Sequence, residues 1–80
     1  MIKELNISSY LDLRKTPCPL NFIRIKLTLE SLEKGSRIQV DLDQGEPEAM
    51  VIPGLIEAGH DVEVVFQESS WLRLIVTCGR

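Results

Sequence analysis

The chain has 80 residues, 44% of them hydrophobic and 26% charged, with a formal net charge of −3. This length holds one domain spanning residues 1–80 and excludes a second core, and the composition is that of a folded domain rather than a disordered chain. The negative balance argues against the broad basic surface that supplies non-specific affinity for nucleic acid, so no direct nucleic-acid binding is expected. There is no basic, apolar and small-residue leader pattern, and no apolar run approaches the ~20 residues of a membrane span; a cytoplasmic, membrane-free protein is expected. Two cysteines, Cys18 and Cys78, are too few for a disulfide scaffold.

Residues 1–9 carry Ile2, Leu5 and Ile7 in a weak pattern that reads as a frayed start or a marginal strand extension. The first firm strand is predicted around residues 10–13. There Leu11 and Leu13 share one face, and Asp12 faces the other way as a solvated residue or a partner for Arg14 or Lys15.

A short basic turn follows, Arg14-Lys15-Thr16-Pro17-Cys18-Pro19. Proline suits the first helical position, so Pro19 is expected to start a helix with Cys18 at its cap, against amide N–H groups that have no helical partner. Such a helix start favours a nearby anion by about 0.3–1 kcal/mol, and the thiolate is the reacting form of cysteine. Arg14 and Lys15 would add to that preference. Cys18 is therefore a candidate nucleophile of moderate activation, with a plain capping or buried cysteine as the other reading.

The helix is predicted over residues 19 to about 33, stopping at Gly35. At 100° per residue Phe22, Ile25, Leu29 and Leu32 make one stripe, and Leu20, Ile23 and Leu27 make a second on nearly the opposite side. A sheet covers only one. The four-residue stripe is the expected core face, which leaves Leu20, Ile23 and Leu27 as a candidate partner or self-association surface beside Cys18, unless loops cover it.

Residues 37–43 alternate cleanly, with Ile38, Val40 and Leu42 inward, which predicts a half-buried strand. Asp41, Asp43, Glu46 and Glu48 lack calcium-loop spacing and read as a solvated acidic face. Gly45 and Pro47 suggest an irregular turn over residues 44–51. Because Pro53 belongs near a helix start, the second helix is predicted from about Ile52 to just before Gly59. His60 then reads as a polar turn residue rather than a general base. Val62, Val64 and Phe66 mark a third strand, joined as a hairpin to a fourth over residues 71–78. Leu72, Leu74, Val76 and Cys78 share its core parity, so Cys78 reads as a small buried hydrophobe, with a resolving thiol for Cys18 as the alternative. Trp71 shares a face with Ile75 on the open side.

The element order, β-α-β-α-β-β with right-handed crossovers, predicts a two-layer α/β sandwich: a mixed four-stranded sheet with two helices on one face.

Leu11-Asp12-Leu13-Arg14 followed by Cys18-Pro19 resembles the signature of the small TusA/SirA-like sulfur-carrier (sulfurtransferase) family. Ile52-Pro53-Gly54, Gly59-His60 and Trp71 fall where that family has its second helix, its turn and its last strands, so the resemblance covers nearly the whole chain. The chain departs from the pattern at Lys15, where the family usually has Gly, at Thr16, where it has Leu, and at Asn21, where it has a second Pro. The resemblance implies that Cys18 accepts sulfur as a persulfide from a cysteine desulfurase-like donor. A protein acceptor then receives it, as in tRNA thiolation or related sulfur or molybdenum-cofactor pathways. Pro19 would orient the sulfur, and Arg14 and Lys15 would favour its anionic form. No metal or organic cofactor is implied, and a monomer or weak dimer is expected. A non-catalytic interaction module and a thiol redox sensor are the rival readings.

Overall fold

The computed structural model describes residues 7–79. Its elements are β1 (Ile7–Asp12), α1 (Leu20–Glu30), β2 (Arg37–Asp43), α2 (Glu46–Glu57), β3 (Asp61–Gln67) and β4 (Trp71–Thr77). The four strands form one mixed sheet in the order β1-β2-β4-β3. β1 runs parallel to β2, and β4 lies antiparallel to both β2 and β3.

Alternation along the central strands decides which face is covered. Ile38, Val40 and Leu42 of β2 sit with Leu72, Leu74 and Val76 of β4 in one buried cluster, joined by Ile25 and Leu29 of α1 and Val51 and Leu55 of α2. One cluster drawing on both helices and on one strand parity places both helices on the same face of the sheet, the expected two-layer sandwich. Phe22, Leu32, Leu11 and Val62 pack at its margin, so the predicted stripe of Phe22, Ile25, Leu29 and Leu32 does face the core, the last from just beyond the end of α1.

Several boundaries differ from the sequence reading. The strand expected from residue 10 begins at Ile7, because pairing with β2 extends it across a register shift between Ile7 and Ser9. The weak pattern at Ile2 and Leu5 lies outside the described residues. α1 ends at Glu30 instead of about residue 33; Ser31 caps it and its backbone N–H donates to Thr28.

α2 starts at Glu46, six residues before the expected Ile52. The expected irregular turn over residues 44–51 is mostly helix. Pro47 lies in the first turn, where no N–H is required. Pro53 sits inside the helix, yet it and Ala49, whose carbonyl loses its donor, are both exposed, so water can take the bond's place.

β3 carries a bulge at Val65: Val64 pairs with Leu74, and Phe66 pairs with Arg73. Val62 and Val64 therefore pair with the core residues Val76 and Leu74, and Phe66 does not continue their alternation. The extra residue turns Phe66 to the helix-free side, where its ring centroid lies 5.4 Å from that of Trp71.

Candidate functional site

β1 delivers the chain to Leu13, which is buried and whose N–H donates to the Asp41 carbonyl at 2.9 Å. From that anchor the chain turns through Arg14 to Pro19 into α1. Lys15 takes φ of 66°, a left-handed conformation that favours glycine, and its N–H donates to Asp43 Oδ2 at 2.8 Å. The Thr16 N–H donates back to the Leu13 carbonyl at 3.1 Å, closing a tight turn.

Pro19 is the N-cap of α1, and the Cys18–Pro19 peptide is cis. Cys18 therefore precedes the cap by one residue, instead of occupying it. Its thiol is exposed and free.

The expected field of unpartnered amides is largely spoken for. Asn21 N–H donates to the Pro17 carbonyl at 3.2 Å, Ile23 N–H to the Pro19 carbonyl at 3.0 Å, and Phe22 N–H to Asn21 Oδ1 at 2.6 Å. Of the first four α1 amides, only that of Leu20 lacks a partner among the described residues.

Cys18 lies between two unlike surfaces. On one side is a cleft of about 180 Å³ lined by Pro19, Phe22, Met50 and Gly54, which is apolar apart from backbone. Gly54 keeps this contact between α1 and α2 close: a Cβ there would sit 2.9 Å from Phe22 Cε1. On the other side is a charged depression in which Lys15 faces Asp43, Glu46 and Pro47. The exposed thiol thus has a soft apolar wall on one flank and a mixed-charge surface of Lys15, Asp43 and Glu46 on the other.

The two neighbouring cations part company. Lys15 shares the depression with Cys18, whereas the Arg14 guanidinium is held by Asp12. Its Nε and Nη2 donate to the two carboxylate oxygens, each at 2.9 Å, and its Cζ lies 4.7 Å from the Trp71 ring centroid. These bonds, with one from the Arg14 backbone N–H, hold the Asp12 carboxyl down at about 2 and push the Arg14 guanidinium up. Arg73 lies 5.3 Å from the same ring and binds Asp41 at 2.8 and 3.2 Å. The acidic residues of the sequence are thus divided: Asp41 is buried and paired, Asp43 shapes the turn, and Glu46 and Glu48 occupy the favourable first turn of α2.

Leu20, Ile23 and Leu27 are 52%, 44% and 61% exposed, and Met50 of α2, which lines the cleft at Cys18, is 60% exposed. The apolar stripe is therefore uncovered. Asn21, in contrast, is completely buried. Sequence reasoning placed no role on it, and its only signal was an amide where the resembled signature has proline.

Cys78 and His60 lie at the far end of α1. Cys78 is buried and its thiol is directed at the Leu29 carbonyl, 3.7 Å away. Leu29 stands nine residues beyond Leu20, about 13 Å along the helix, well outside the reach of a disulfide to Cys18. His60 Nδ1 accepts the Gly79 N–H at 3.0 Å and lines a cavity with Lys26, Leu29, Glu30 and Cys78.

Comparison with known proteins agrees with this arrangement. A crystal structure of a SirA-like protein from Desulfitobacterium hafniense superposes with a TM-score of 0.76 at 20% identity, covering 90% of this chain and 99% of that one, which establishes the shared fold. A protein of Archaeoglobus fulgidus, named as a candidate sulfur carrier, is 34% identical over 76 residues, 91% of this chain and 85% of the relative. The model of the family described as sulfurtransferase TusA matches residues 9–78, from β1 through Cys18 to Cys78, and on that extent the chain belongs to the TusA family.

Proposed function

We propose that the protein is a sulfur carrier that takes up sulfur as a persulfide on Cys18 and passes it to an acceptor protein. The observation that carries this reading is the exposed thiol at the start of α1, set between an apolar cleft and Lys15 in a chain of this family. The Cys18 thiolate attacks the outer sulfur of a donor persulfide. A new S–S bond forms to Cys18, the donor's S–S bond breaks, and the electron pair leaves with the donor thiolate. An acceptor nucleophile then attacks the outer sulfur and releases the Cys18 thiolate. Neither displacement consumes an external oxidant or reductant, nor does either require a metal or organic cofactor.

Pro19 sets the exit of the loop, the Leu20 N–H is the helix-start donor without a partner among the described residues, and Lys15 supports the negative charge of the sulfur. Arg14 acts at longer range, its charge being engaged by Asp12. Leu20, Ile23 and Leu27 form the surface on which a cysteine desulfurase-like donor or an acceptor docks. The relay serves cytoplasmic sulfur trafficking such as tRNA thiolation, with the RNA held by the acceptor and the carrier acting as a monomer or weak dimer.

The test is intact-mass analysis of the purified protein after incubation with an active cysteine desulfurase and free cysteine without reductant. A gain of one sulfur atom, removed by reductant, mapped to Cys18 and missing in Cys18→Ser, is the expected result. A folded protein that gains no sulfur, or a Cys18→Ser variant that still does, overturns the assignment.

A further inference from the structure

Asn21 is a fully buried polar side chain in the first turn of a helix, a place where side chains usually meet water. One of its side-chain atoms faces the segment that carries Cys18, and the other takes up the next amide of α1. Its Oδ1 accepts the Phe22 N–H at 2.6 Å, its Nδ2 reaches towards the Thr16 carbonyl at 3.5 Å, and its own N–H donates to the Pro17 carbonyl at 3.2 Å.

We propose that Asn21 is a positioning residue for Cys18, fastening the Thr16–Pro17 backbone to α1 and withholding the Phe22 amide from the sulfur. The inference rests on Cys18 as the reacting group. In a regular helix start the first four amides all need outside partners. Here Asn21 supplies one partner with its side chain and satisfies its own amide on Pro17, which leaves Leu20 as the one of the four without a partner among the described residues. Asn21 therefore fixes the loop's position and keeps the Phe22 amide engaged within α1. An alanine at position 21 keeps the backbone bond to Pro17 and removes both side-chain contacts, which frees the Phe22 N–H at the end of α1 nearest the thiol. A proline there, as the family signature has, removes the bond to Pro17 as well and is compatible with the first turn.

The experiment measures alkylation of both cysteines by iodoacetamide across a pH series, in wild type, Asn21→Ala and Asn21→Pro. In this reaction the thiolate forms an S–C bond and displaces iodide. One freed helix-start donor should raise the Cys18 rate at neutral pH about two- to fivefold and move the midpoint of its pH profile to lower pH. Cys78 should remain as slow as in wild type, which reports that the core stays closed. A folded variant with an unchanged or slower Cys18 rate overturns the proposal, as does a parallel rise at both cysteines, which marks general loosening. If alanine does not fold, the proline variant decides on the same readouts. Alkylation needs no sulfur donor, so a wild-type protein that takes up no sulfur would sink the carrier reading while leaving this result to stand or fall alone.

Discussion

The two ends of α1 hold the two cysteines of the chain and treat them in opposite ways. At the N-terminal end the backbone turns through a left-handed Lys15, a buried Leu13 and a cis peptide, and it presents Cys18 to solvent beside uncovered apolar side chains. At the C-terminal end Cys78 closes the core, with its thiol directed at the Leu29 carbonyl and His60 binding the following Gly79 amide. The same side-chain chemistry becomes a candidate nucleophile or a packing residue according to which end of one helix it meets. What distinguishes them is access and the state of the nearby backbone groups.

The largest effect should come from breaking the buried end. A Cβ at Gly79 would lie 1.8 Å from the Gly59 carbonyl oxygen, a contact that only displacement of backbone can relieve. Gly79→Ala is expected to destabilise the fold by about 2 kcal/mol or more and to speed labelling of Cys78 in the native state. Cys18 should label at its wild-type rate in the fraction that stays folded, because its loop is anchored at Leu13, Asp43 and α1 rather than at the chain's end. Thermal denaturation with site-resolved mass mapping reads both quantities, and equal acceleration at both cysteines would show that the two ends are one cooperative unit.

How much of each end was legible beforehand follows from the range of the interactions involved. Strand β2 was readable because strict alternation over Arg37–Asp43 is a local signal, and the two stripes of α1 were readable for the same reason. Cys18 beside a helix start could be read from Pro19, and Cys78 as core from its parity with Leu72, Leu74 and Val76. The start of α2 could not: two prolines look like breaks, and only burial of Val51 and exposure of Pro53 show that the helix runs through them. Nor could the bulge at Val65, since Val64-Val65-Phe66 reads equally well in either register and pairing with β4 decides it. The partners of the amides near Cys18, Pro17 and the Asn21 side chain, are set by loop geometry and leave no local signal.

A smaller effect should separate the exposed end from stability altogether. Leu27 is 61% exposed, so Leu27→Asp removes little buried surface and should change stability by less than about 1 kcal/mol. If the stripe carries the donor, the same change should slow sulfur uptake from a desulfurase roughly tenfold, as loss of one apolar anchor does at protein interfaces, while iodoacetamide still labels Cys18 at the wild-type rate. Sulfur uptake as fast as wild type, at limiting donor concentration, would remove Leu20, Ile23 and Leu27 from the docking surface and turn attention to the cleft at Met50.

The smallest effect lies in the ion pair at the entry to the Cys18 turn. Arg14 holds the Asp12 carboxyl at about 2, below its ordinary value of 3.8, chiefly through the side-chain hydrogen bonds and then through the bond from its backbone N–H. A carboxyl lowered by folding stabilises the native state fully above the unfolded value. That contribution fades as pH falls through the window between the two values and is gone below the folded one. Asp12→Asn should therefore flatten the acid limb of the stability curve between about pH 4 and pH 2, and the variant and wild type should converge at the acid end. Both partners are exposed, so the difference should shrink in high salt. Two further variants sharpen the contrast between the cations. With its charge engaged by Asp12, Arg14→Ala should alter Cys18 alkylation less than Lys15→Ala, since Lys15 is the cation that lines the depression beside the thiol. A larger effect from Arg14 would mean that the Asp12–Arg14 pair sets the shape of the turn, and that Cys18 owes its placement to the strand side as much as to α1.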